Sequence, residues 1–202
     1  MSKSPATGRA SEPTSAQLRE LFAQIESGRV TKERLQEFLR GKGLNFPSYT
    51  VPVNYDLTVE QLVQAGGYDW VGDGNTSAHF PLNESGQEQV EIFVMPIAQI
   101  MSTEVVIANM VAFELQRPNV KQGLSLGVHC PDLQREGPIV ILCEPWRRPG
   151  GSVFVPCLNR DGSNRYLHLG WVGSGWHPAW RFAAVRRSVA RSSFAGQVSL
   201  ST

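Results

Sequence analysis

Positive charge is scarce over a long stretch of this chain: residues 43–116 hold nine acidic side chains and neither lysine nor arginine. The formal net charge of the whole is only +1, which gives no global case for a nucleic-acid or membrane partner. Long apolar runs are missing too. No segment approaches the roughly 20 residues that a membrane-spanning helix needs, and the N-terminus has no apolar stretch of the secretory-signal kind. The expected setting is therefore cytoplasmic and reducing, and Asn75-Thr76-Ser77 and Asn83-Glu84-Ser85 are chance matches to the glycosylation pattern. Cysteine is sparse. Cys130, Cys143 and Cys157 are odd in number and fall in no metal-ligand or redox spacing. Catalytic signatures are also missing: there is no Walker A, HExxH, GxSxG or strand-GxGxxG-helix context. No metal and no cofactor is expected.

What is present is ordinary in bulk, 41% hydrophobic and 18% charged, with length enough for one domain plus an appendage. Its charge is unevenly placed. From Arg135 onward there are nine arginines, no lysine, and only Glu136, Glu144 and Asp161 against them. Two readings stand: the acidic and basic parts face each other or are solvated, or the arginines form a surface for an anionic partner.

Along the chain, residues 1–14 are rich in Ser, Ala, Thr, Pro and Gly and read as a disordered tail. Residues 15–43 read as a helical hairpin. Leu18, Leu21, Phe22 and Ile25 share one face, Gly28 ends that run, and Thr31 opens a second helix with Leu35, Phe38 and Leu39. Its apolar stripe needs a partner, either the main domain or another protein, and oligomerisation through it is one alternative for the function. The main domain is expected over residues 45–187, with a loose tail at 188–202.

Within that domain, alternation of Tyr49, Val51, Val53 and Tyr55 around Pro52 predicts an edge strand. Thr58 and Gln61 have capping-box spacing for a short helix stopped at Gly66-Gly67. Residues 90–97 read as an interior strand. Ser102 opens a helix so apolar (Val105, Ile107, Ala108, Val111, Ala112, Leu115) that burial is expected, and Asn119 with Gln122 opens another that ends near His129. Four apolar runs between 138 and 186, separated by Pro/Gly/Asn/Asp/Ser clusters, predict an antiparallel meander. The fold class is α+β: a helical hairpin, then a mixed domain with two helices and a meander-rich antiparallel sheet.

From about residue 90 this order of elements resembles the C-type-lectin-like fold, in which two helices flank a sheet closed by joining its first and last strands. The ending Arg181-Phe182-Ala183-Ala184-Val185-Arg186 is similar to the "GFR-x-VR" ending of bacterial members and of formylglycine-generating-enzyme-like domains. A longer pattern resembles an uncharacterised bacterial family. It comprises Ala65-Gly66-Gly67-Tyr68-Asp69-Trp70-Val71, Arg117-Pro118, Cys130-Pro131-Asp132-Leu133-Gln134, Pro138 to Leu142, Val155-Pro156-Cys157-Leu158, Arg165-Tyr166-Leu167-His168-Leu169 and Arg181 to Arg186. That resemblance implies no activity.

Chemistry-bearing candidates are few. Glu144-Pro145-Trp146 resembles the Glu-Pro-Asn with which lectins hold calcium, but Trp offers no oxygen, so a strand-end turn is expected. Cys143, Glu144 and His168 are the residues an enzymatic alternative, a hydrolase or transferase, would use; Cys143 and Cys157 read more simply as buried thiols in strands. The loops carry a stronger suggestion. Trp146, Arg147, Arg148, Arg160, Arg165, Trp171, Trp176 and His177 combine aromatic and cationic groups as recognition surfaces do. The expectation is a non-catalytic binding or interaction module, with loops 146–151, 159–165 and 171–180 close together. Its partner would be a protein or an anionic or sugar-like ligand. The opposing expectation is that the tryptophans are core.

Overall fold

The computed structural model describes Arg19, residues 23–28, Thr31, residues 46–173 and residues 175–186. The chain divides into two units, Met1–Asn45 and Phe46–Thr202. In the first, residues 23–26 are helical and close at Gly28, whose φ of 72° suits a residue without a side chain. The rest of the expected hairpin, the tail 1–14 and the tail 188–202 lie outside the described residues.

The second unit is a mixed α+β domain whose described residues form a nine-stranded sheet. Its strands are β1 (Ser48–Asn54), β2 (Trp70–Val71), β3 (Gln87–Pro96), β4 (Leu115–Gln116), β5 (Ile139–Val140), β6 (Trp146–Arg147), β7 (Val153–Asp161), β8 (Asn164–Trp171) and β9 (Arg181–Arg186). The helices are α1 (Val59–Ala65), α2 (Thr103–Ala112) and α3 (Val120–His129), with a 3-10 turn at Pro131–Arg135. Spatial order is β1-β3-β9-β5-β7-β8-β2, with β4 on β9 and β6 on β7.

The helix starts read at Thr58, Ser102 and Asn119 form as such. Thr58 and Gln61 exchange hydrogen bonds at the head of α1, and Asn119 and Gln122 do so at α3. Pro52 sits in β1, which ends the spatial order of the sheet, where a missing ladder donor costs least. The sheet is covered on both faces. Ile92, Val94, Ile139, Ala183 and Val185 meet α1 and α3 in one core, whereas Phe93, Met95, Val140, Phe182 and Ala184 meet Val106 and Met110 of α2 in the other. Coverage on both sides explains why β3, β5 and β9 are apolar without alternation.

Two expectations are corrected. The sheet is mixed, and the run 138–186 is not a simple meander. β9 leaves β8 and inserts between β3 and β5, antiparallel to the first and parallel to the second; β2 runs parallel to β8. Phe182, Ala183, Ala184 and Val185 are all buried, so β9 needs an interior position with both faces covered, and residues 172–180 are long enough to carry it there. Second, α2 is not buried all round. Only Thr103, Val106 and Met110 are buried, and Val105 and Val111 are 46% and 51% exposed.

Candidate functional site

A cleft of about 340 Å³ opens where three segments meet: residues 78–82, the start of α3 at Asn119 and Val120, and residues 143–147. Its location follows from local chemistry. The turn at Gly74 (φ 99°) returns the chain toward β6, and a side chain there would strike Trp146 and Leu169. His79 is thereby laid flat on Trp146, with ring centroids 3.8 Å apart and planes 18° apart. The Nδ1 of His79 donates to the carbonyl oxygen of Gly74 at 2.9 Å. On β6 and β7, Trp146 also meets Phe154 at 6.1 Å, and the Arg148 guanidinium lies over both rings at 4.9 and 4.6 Å.

Arg147 is exposed beside this stack and lines the cleft, as does Glu144, which Arg117 contacts at 3.4 Å. Opposite, the Asn119 side chain caps α3 through Gln122 and donates its Nδ2 to Glu84 at 3.0 Å. Pro81, Leu82, Val120 and Pro145 make much of the remaining wall apolar. Cys143 also lines the cleft, and its thiol is pushed up to about 12 by burial. At neutral pH it is a thiol and not a nucleophilic thiolate.

The structure divides the rest of the expected patch: Trp171 lies in register with Phe154, which pairs with Trp146, so loops 146–151 and 171–180 share one end of the sheet and loop 159–165 does not. Phe154 pairs with Trp171 at one end of the β7–β8 hairpin and Asp161 with Asn164 at the other, seven residues or about 23 Å away. Loop 159–165 is therefore remote from 146–151, and the three loops do not share one surface. Arg160 is exposed at the far end. Arg165 is buried: it donates to the carbonyls of Gly66 and Gly127 at 2.6 and 2.7 Å and to Gln134 at 3.2 Å, with Tyr68 beneath it at 4.9 Å. Trp176 is 3% exposed in the α2-side core and donates its indole N–H to Thr103 at 2.9 Å. Trp171 is 51% exposed. His177 is also exposed, its Nδ1 accepting from the Ala179 amide.

Of the three residues proposed for catalysis, Cys143 and Glu144 share the cleft wall and His168 does not. Leu167 of β8 faces the α1/α3 core that holds Cys143. His168 points to the other face, 6.3 Å from Trp180 and 3.2 Å from Asn159 Nδ2. Burial holds its pKa below the usual histidine value. Sequence reasoning missed His79 and Asn119. His79 had a signal, an aromatic-flanked position after Gly-Asp-Gly-Asn, but nothing local named its partner. Among the described residues, no group of three or more His, Cys, Asp or Glu side chains is placed to hold a metal ion, and no helix is long and apolar enough to cross a membrane. In comparisons with known proteins, no family model, curated protein or solved structure matches the chain.

Proposed function

We propose that the protein is a non-catalytic binding module whose ligand site is the cleft between His79, Asn119 and Trp146. The observation that carries this reading is the stacked pair of His79 and Trp146 in the cleft wall, with Arg148 packed over the Trp146 ring and the exposed cation Arg147 at the rim. An apolar cleft with a few placed polar groups suits a small planar ligand, and Arg147 at its rim favours a negative charge on it. A second reading, an enzyme using Cys143 or Glu144, draws on their place in the same wall. The raised thiol and the engagement of Glu144 by Arg117 weigh against it.

The closure of the sheet by β3 against β9, with α2 and α3 between them in sequence, supports a C-type-lectin-like order. The three unpaired cysteines support a reducing, cytoplasmic setting.

Phenyl phosphate, a planar anion, is the probe. In calorimetric titration it should bind the full chain, and Trp146→Ala should weaken it by about 30-fold, the scale of an interface anchor. Arg147→Gln should weaken it by less and flatten its salt dependence. Unchanged affinity in Trp146→Ala, with an unchanged melting temperature, would refute the site.

A further inference from the structure

We infer that Glu60, an exposed carboxylate outside both the core and the cleft wall, is a positioning residue of the cleft. Acting through Ser77, it holds His79 in its stack on Trp146 and so sets the affinity of the site. The inference rests on the cleft being the ligand site and adds to that reading the group that shapes it from outside. Wall residues 78–82 hang between two carboxylate tethers. At one end Ser77 is gripped by Glu60 of α1: its amide donates to Oε1 at 2.8 Å and its hydroxyl to Oε2 at 2.7 Å. The same hydroxyl accepts the Val59 amide at 3.1 Å, so α1 holds it as donor and as acceptor. At the other end Glu84 accepts from Asn119 of α3 at 3.0 Å. Two oxygens of one carboxylate on one serine make a charge-assisted, bidentate contact, stronger and more directional than a neutral pair. The Ser77 hydroxyl, and after it the Ser77 amide, hold the Glu60 carboxyl down at about 2, so the acceptor is charged at neutral pH.

Ser77 passes this hold to His79 through one short hydrogen-bonded turn. The Thr76 amide donates to the Gly74 carbonyl at 3.0 Å, and the Thr76 carbonyl accepts the amides of His79 and Phe80 at 3.1 and 3.0 Å. Ser77 lies inside that turn, two residues before His79. Phe80, 3% exposed, pins the far side of the turn in the α1/α3 core. With Phe80 pinned and Ser77 gripped, the His79 ring is held 3.8 Å from Trp146 before any ligand arrives. A wall ordered in advance removes an ordering cost from binding. Glu60 can be changed without dismantling its own helix, because α1 keeps the Thr58–Gln61 capping box and its buried Val59 and Leu62.

Two readouts test this in the full chain: the His79 ring resonances of the ligand-free protein, which the stacked Trp146 ring displaces, and calorimetric titration with phenyl phosphate. Glu60→Gln and Ser77→Ala should each move those resonances toward the values of an unstacked histidine. Each should also weaken phenyl phosphate by about tenfold, the equivalent of one charge-assisted hydrogen bond, while the melting curve stays that of a folded protein. Ser77→Thr keeps the hydroxyl and should bind as wild type does. The double variant should be no weaker than either single one, because both act through one contact. Wild-type resonances or wild-type affinity in Glu60→Gln overturn the proposal and leave the cleft reading standing. So do losses that add in the double variant, or a loss in Ser77→Thr equal to that in Ser77→Ala. A wild type that does not bind phenyl phosphate overturns the cleft reading instead, and the ligand-free resonances then decide alone whether Glu60 holds His79.

Discussion

Arg165 is an arginine whose composition-based reading and position disagree. In the sequence it adjoins an Asp-Gly-Ser-Asn turn, where an arginine is normally solvated. In the fold it shares a strand face with Leu167, and its guanidinium supplies donors to three oxygens. The alternation along β8 was the available signal, because position 165 has the parity of the buried residues. Replacing it by Met leaves the Gly66 and Gly127 carbonyls unpaired in a dry site, so stability in urea denaturation should fall by about 3 kcal/mol. Arg165→Lys should recover little, because one ammonium cannot span the same acceptors. A loss below about 1 kcal/mol would mean these bonds are idle. His168 gives the pH counterpart. Burial lowers its folded pKa below the 6.5 of the free side chain, so on acidification the unfolded chain takes up the proton first. Stability from this group is intact above about pH 6.5 and declines as the pH falls through that value toward the folded pKa. His168→Gln should flatten the measured slope of stability between about pH 7 and pH 5.

At the scale of elements, what was legible came from short-range chemistry. Capping residues and the turn at 161–164 are fixed by neighbours within a few residues, and Pro52 marks its own strand as one that belongs at an edge. What was not legible depended on partners far away. The burial of β9 was readable from Phe182 to Val185, but its place between β3 and β5 depends on where residues 172–180 carry the chain. The apolar composition of α2 showed that it had two apolar sides and not which one the core would take. α3 illustrates a packing constraint hidden in the sequence: Gly123 and Gly127, four residues apart, sit where a methyl group would collide with Ile141 and with the Tyr68 hydroxyl. Alanine normally gains about 1 kcal/mol over glycine inside a helix. Here Gly123→Ala and Gly127→Ala should each destabilise by about 1–3 kcal/mol in chemical denaturation, because overpacking against the sheet outweighs propensity. A stabilising result at either would mean that α3 can lift from the sheet.

At the scale of the whole molecule, half of the candidate site was legible and half was not. Trp146, Arg147, Cys143 and Glu144 are contiguous in sequence and fall on one wall. His79 and Asn119 come from segments about 65 and 25 residues upstream of that wall, a juxtaposition that only the assembled sheet produces. The arginine excess of the second half is divided among structural clamps such as Arg165 and Arg181, surface pairs, and the cations at 147 and 148. It is not one basic field. The central claim, that the cleft is the ligand site, is tested most directly by mapping amide chemical-shift changes in ¹⁵N-labelled full-length protein during titration with phenyl phosphate. Saturable shifts confined to residues 74–82, 119–122 and 143–148, and abolished in Trp146→Ala, are the predicted result. Saturable shifts centred on Trp70, Tyr166 and Trp171, or no saturable shift at all, would contradict it.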